Sequence, residues 1–121
     1  MLSKTENMNA EGPGLPVAIS AVNFKAEVLE SKLPVLVEFW APGSRPCQVL
    51  DSALQELAIA WPGRAKLVKV NVDDSLDLSL WYDIKFVPTL LYFVKGNPRI
   101  RIVGTASKEA ILAKLNQEHR R

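Results

Sequence analysis

PVLVEFWAPGSRPC, residues 34–47, decides how this chain folds. Within it, Val35–Trp40 is an apolar run interrupted only by Glu38, the pattern of a strand covered on both faces. Ala41, Pro42 and Gly43 break the strand, and Ser44-Arg45-Pro46-Cys47 opens a helical stretch over residues 45–60. Val49, Leu50, Leu54, Leu57 and Ala58 recur there at helical spacing. A strand that feeds a helix start through a Pro/Gly turn delivers the chain to unpaired backbone N–H groups and the positive end of a dipole. An anion or a thiolate is stabilised at such a point. Cys47, the only cysteine, falls in that first turn.

On the N-terminal side, residues 17–21 read as a short strand, and Asn23 as the N-cap of a short helix over 24–31 with Phe24, Val28 and Leu29 on one face. Residues 1–15 lack hydrophobic periodicity and hold Gly12, Pro13 and Gly14, which predicts a mobile tail ahead of a single domain over 16–121. On the C-terminal side, Trp61-Pro62-Gly63 stops the long helix, and residues 65–72 (AKLVKVNV) alternate as a strand with Leu67 or its neighbours inward. Asp73-Asp74-Ser75 then caps a short helix reaching Tyr82, with Leu76, Leu80 and Trp81 expected on its buried side. Thr89–Val94 is an aliphatic and aromatic strand, turned by Lys95-Gly96-Asn97-Pro98 into residues 99–104. Ser107 opens a last helix over 108–118, with Ile111, Leu112 and Leu115 on its apolar stripe.

The order β-α-β-α-β-α-β-β-α predicts an α/β protein: a central mixed five-stranded sheet with helices on both faces. Right-handed crossovers would join its parallel strands, and the last two strands would pair as a hairpin.

With 121 residues, 48% of them hydrophobic and 23% charged, the chain has the size and composition of one globular domain. A net charge of +2, with Lys and Arg scattered, argues against a nucleic-acid partner. No run has the length of a membrane span or of a signal-peptide core, so a cytoplasmic protein without membrane contact is expected. A lone cysteine fits a reducing compartment. His119 stands by itself in what reads as a solvated tail, no metal-ligand spacing occurs, and no cofactor is implied.

Three stretches in this order resemble the thioredoxin family: FWAPGSRPC (39–47) beside the family's FWAxWCGPC, KVNVDD (69–74), and YDIKFVPTLLYFVKG (82–96) beside Y-x-I-x-x-x-PT-x-x-x-F-x-x-G. The resemblance runs from about residue 17 to 115 and implies the thioredoxin fold and thiol–disulfide exchange. In that family the first cysteine of the motif attacks a disulfide and the second, three residues on, resolves the adduct. The attacking position here is Ser44, whose hydroxyl forms no disulfide. With one cysteine, the two-thiol cycle cannot close within this chain, and dithiol reductase activity is not expected.

Cys47 then has two readings. As a monothiol it would accept glutathione, another low-molecular-weight thiol or a partner thiol, its thiolate favoured by the helix start and by Arg45. As a small buried residue it would only pack. Ser44 reads as the N-cap accepting the Cys47 N–H, with or without a further hydrogen bond to a thiolate. Pro46 is tolerated in a first turn, where its missing N–H is no loss. Arg45 stands where the family has glycine and Gly43 where it has tryptophan, changes that imply altered partner choice. An acid at the place of Glu38 lies, in the family, behind the site turn and exchanges protons with the second cysteine, while a lysine matched by Lys69 interacts with it. A purely structural ion pair is the other reading of Glu38 and Lys69. Trp40 would support the turn from below. Val87-Pro88-Thr89 would be the family's cis-proline loop, whose backbone holds an extended peptide substrate. The resemblance thus implies a monomeric thioredoxin-like redox protein with a degenerate SxxC site, or else an inactive polypeptide-binding module or chaperone on the same fold.

Overall fold

A computed structural model describes residues 16–60 and 65–119. The expected tail at 1–15 and the Trp61-Pro62-Gly63 stop lie outside the described residues. Five strands form one sheet: β1 (Val17–Ile19), β2 (Val35–Trp40), β3 (Lys66–Asn71), β4 (Thr89–Val94) and β5 (Asn97–Val103), in the spatial order β1-β3-β2-β4-β5. β1, β3 and β2 run parallel, while β4 is antiparallel to both β2 and β5. β2 is central, and its residues from Val35 to Phe39 are all buried, Glu38 among them, as a strand covered on both faces requires.

Strand alternation sorts the core into two layers. On one face Leu36, Leu67, Leu90, Tyr92 and Ile102 meet Leu50, Leu54, Leu57 and Ala58 of α2 (Arg45–Ala60) and Ile111 and Leu115 of α4 (Lys108–His119). On the other, Val35, Val37, Phe39, Val68, Val70, Leu91 and Phe93 meet Phe24 of α1 (Ala21–Phe24) and Val28 of the π-helical turn that continues it, Lys25–Leu29. Tyr82 closes this second layer, edge-on to Phe93 at 5.4 Å between ring centres and tilted against Phe24 and Phe39.

Several local expectations need correction. β1 ends at Ile19, and Ser20 is the N-cap of α1: its Oγ accepts the Val22 N–H at 3.3 Å while its own N–H donates to Asn23 Oδ1 at 2.9 Å. Asn23 is therefore the third helical residue of a capping box. On α3 (Leu76–Trp81), Leu76, Leu80 and Trp81 face solvent at 66%, 81% and 80% exposure, and Ser75 makes no side-chain cap. Leu78, Tyr82 and Ile84 pack inward instead. Positions 76 and 80 lie roughly 200° around a helix from 78 and 82 at 3.6 residues per turn, so only one set can meet the sheet. The hairpin turn is Lys95-Gly96 alone, with φ of +51° and +82° at the two residues, and Asn97 and Pro98 already belong to β5. A Cβ on Gly96 would meet the Leu29 carbonyl oxygen at 2.8 Å, which closes that position to other residues. The register shifts between Tyr92 and Phe93 opposite Pro98, where the edge strand tolerates a residue without an N–H. His119 is no free tail. It ends α4 and shares a hydrogen bond between Nε2 and the Tyr92 phenol, which burial and then the Glu118 carboxylate push up to about 12.

Candidate functional site

The turn out of β2 has a geometric reason for its sequence. Ser44 N–H donates to the Ala41 carbonyl at 3.3 Å, and Pro42 and Gly43 are the two central residues. Gly43 has φ +79°, the left-handed position that a type II turn demands after proline. Glycine takes this backbone conformation without the strain that a side chain would bring. Ser44 Oγ then accepts the Cys47 N–H at 3.3 Å and its carbonyl accepts the Gln48 N–H at 3.2 Å, so Ser44 starts α2 as an N-cap. Arg45 and Pro46 occupy the first two helical positions and are exposed. Ser44→Ala leaves the Cys47 N–H without this acceptor and is expected to cost about 1 kcal/mol, read as a lowered urea midpoint with an unchanged slope.

Cys47 points inward from the first turn of α2 and is 3% exposed. Leu50, Asp51 and Leu54 follow it at helical spacing, so Asp51 lies one turn further along the same side. The sheet beneath carries Leu36, Glu38 and Trp40 of β2 on the face turned to α2, and Glu38 is in register with Lys69 of β3 on one side and Leu90 of β4 on the other. Glu38 is 1% exposed, and among the described residues neither of its carboxylate oxygens has a hydrogen-bond partner.

The expected Glu38–Lys69 ion pair is not made. The Lys69 ammonium goes to Asp51 Oδ2 at 3.8 Å and lies over the Trp40 ring, 4.4 Å from its centre. Burial, and after it the negative charge of Asp51, push the Glu38 carboxyl up to about 8, with Lys69 opposing both. Trp40 is half-buried, and its Nε1 likewise has no partner among the described residues. Asp51 is the site residue that sequence reasoning missed. The signal was present: an acid between Leu50 and Leu54, on the helix side that the other residues mark as buried.

The Val87–Pro88 peptide is cis. Thr89 opens β4 opposite Phe39 of β2, so this loop lies at the same end of the sheet as Trp40 and the turn leading to Ser44. Thr89 Oγ1 donates to the Phe86 carbonyl at 2.6 Å and Gly104 N–H donates to the Pro88 carbonyl at 2.8 Å, fixing the loop from both sides. Next to it a cavity of about 300 Å³ is lined by Asp83, Lys85, Phe86, Thr89, Arg101 and Val103. The topology therefore gathers Trp40, Gly43, Ser44, Arg45, Pro46 and Cys47 with Val87, Pro88 and Thr89 at one sheet end. Glu38 and Lys69 lie just inside it, and Lys69 serves Asp51 and Trp40.

The family model described as Thioredoxin matches residues 16–117. The chain is 37% identical over 100 residues to Thioredoxin 1 of Synechococcus elongatus, covering 83% of this chain and 94% of that protein. It is likewise 37% identical to Thioredoxin of a Synechocystis species over 82% of this chain and 92% of that one. With Thioredoxin C-2 of Corynebacterium nephridii it shares 38% identity over 78% of this chain and 88% of the relative. Among the described residues no helix is long and apolar enough to cross a membrane.

Proposed function

The chain belongs to the thioredoxin family and is a thioredoxin-like redox protein, and from that premise we propose that it works as a monothiol through Cys47. The observation that carries this reading is Glu38. A carboxyl buried beneath the helix that bears the only thiol is costly to a fold, and a proton partner for that thiol gives it a use. In the reaction, the Cys47 thiolate attacks one sulfur of oxidised glutathione or of a partner's disulfide. A mixed disulfide forms and the other sulfur leaves as a thiolate. A second external thiol then attacks the adduct at the partner's sulfur and releases Cys47, while Glu38 exchanges a proton with Cys47 in each direction. Ser44 holds the helix start, Trp40 supports the turn, and Gly43, Arg45 and Pro46 shape the approach. Val87, Pro88 and Thr89 present backbone to an extended protein or peptide substrate. We take the protein to be a cytoplasmic monomer whose domain begins at Pro16, where the family match starts.

The test is incubation of the native protein with oxidised glutathione, read by intact mass. One glutathionyl adduct on Cys47, removed by dithiothreitol and formed at least tenfold more slowly in Glu38→Gln, is the expected result. An adduct that forms only after unfolding in urea overturns it. A second reading, a polypeptide-binding module without turnover, is favoured by the burial of Cys47 together with the open cavity beside the Pro88 loop. Binding of an unfolded reduced polypeptide at unchanged strength in Cys47→Ala, with no adduct in the wild type, selects that reading.

A further inference from the structure

We propose that Asp51 is a positioning residue for the thiol site, forming with Glu38 a two-carboxylate pair that holds one proton and links the buried Glu38 to solvent. The proposal deepens the monothiol reading above and rests on it for its use, although not for its test. Three independent features place the pair. Cys47 and Asp51 are four residues apart on one side of α2, so the helix that sets the sulfur over the sheet sets Asp51 over it one turn further on. Glu38 lies under that helix with both oxygens unpartnered among the described residues. Lys69, the register neighbour of Glu38, is drawn 3.8 Å from Asp51 Oδ2 and makes no ion pair with Glu38, so its positive charge sits against the outer carboxyl and not the inner one.

The two carboxyls differ in access. Glu38 is enclosed, whereas the Asp51 side chain is 37% exposed and lines a cavity of about 230 Å³ together with Pro16, Gln55 and Lys69. Among the described residues, the charged and titratable groups facing the pair are Lys69 from β3 and Cys47 from α2; the register neighbour of Glu38 on β4 is Leu90, and that of Lys69 on β1 is Ala18. A proton balance follows from this arrangement. At rest the proton sits on Glu38, and the Asp51 carboxyl faces the Lys69 ammonium. When Cys47 reacts, the Glu38 proton passes to Asp51 and on to water in the cavity, and the Cys47 proton takes its place on Glu38. One proton leaves to solvent for each thiolate formed, and the pair ends as it began.

The experiment is a ¹³C NMR titration of the carboxyl carbons of the full chain as wild type, Asp51→Asn and Asp51→Glu. In the wild type the Glu38 carbon should titrate near pH 8, and the coupling of the two groups should give both carboxyl carbons a second, smaller inflection. Asp51→Asn should lower the Glu38 midpoint by about one pH unit and abolish the second inflection, and Asp51→Glu should restore both. A Glu38 midpoint unmoved in Asp51→Asn overturns the pair, whatever Cys47 does. Should the Asn variant not fold, single inflections at both carbons in the wild type overturn it equally. Glutathionylation separates the two levels. If no native adduct forms while the Glu38 midpoint still shifts, the carboxylate pair stands and the monothiol reading falls.

Discussion

Ser44→Cys is expected to convert this chain into a dithiol reductase, raising dithiothreitol-driven reduction of a protein disulfide roughly a hundredfold over the wild type. The reason is local. Ser44 Oγ already lies within hydrogen-bonding distance of the Cys47 backbone, so a sulfur there stands one helical turn from the Cys47 sulfur on the same side. It would attack the substrate, and Cys47 would resolve the adduct intramolecularly in place of an external thiol. Effective molarities for oriented pairs are far above any free thiol concentration, which sets the size of the gain. Losing the serine cap costs about 1 kcal/mol of stability, too little to mask the effect. Adding Cys47→Ser to Ser44→Cys should remove the gain. An inert Ser44→Cys protein would place the defect in Gly43, Arg45 or the Pro88 loop, and would show that the missing sulfur is not the main loss.

The second large effect is on stability against pH. Folded Glu38 keeps its proton up to about pH 8, whereas the carboxyl of the unfolded chain releases it at about its ordinary value of 4.5. Its contribution is therefore complete below pH 4.5, declines as the pH rises, and is gone once the pH passes 8. If the group acted alone, the decline would total roughly 3–5 kcal/mol; sharing the proton with Asp51 spreads it over a wider range. Glu38→Gln keeps the shape and removes the titration, so its stability should be flatter across this interval and exceed that of the wild type at pH 9. Urea midpoints at pH 5, 7 and 9 check this, and parallel profiles for the two proteins would sink it.

The elements that place the site were legible because their signals are local. The run from Val35 to Phe39 and the spacing of Leu50, Leu54 and Leu57 specify a covered strand and the helix above it whatever the rest of the chain does. Ser44 as a cap followed from residue type and position alone. Where two residues compete, the sequence is ambiguous. Ser20 and Asn23 both suit an N-cap, and the capping box uses both, with their order settled by where β1 ends. The inward face of α3 was misread because a six-residue helix has too little periodicity of its own; Tyr82 and Ile84, beyond its end, decide which side meets the sheet. The partner of Lys69 was hidden for a different reason. Strand register brings it beside Glu38, but a long flexible side chain reaches the better solvated Asp51 on another element, and only tertiary placement shows that.

The two borders of the sheet carry one more consequence. On one side stands a three-residue strand, on the other a strand with Pro98 and a register break, bearing the exposed Arg99 and Arg101. A passing extended chain finds little continuous backbone to zip onto at the first and meets positive charge and a missing donor at the second. The fold therefore resists fibril-like stacking of its own copies, and a protein that lacks a disulfide to lock it shut keeps its β-structure from spreading by the shape of its margins.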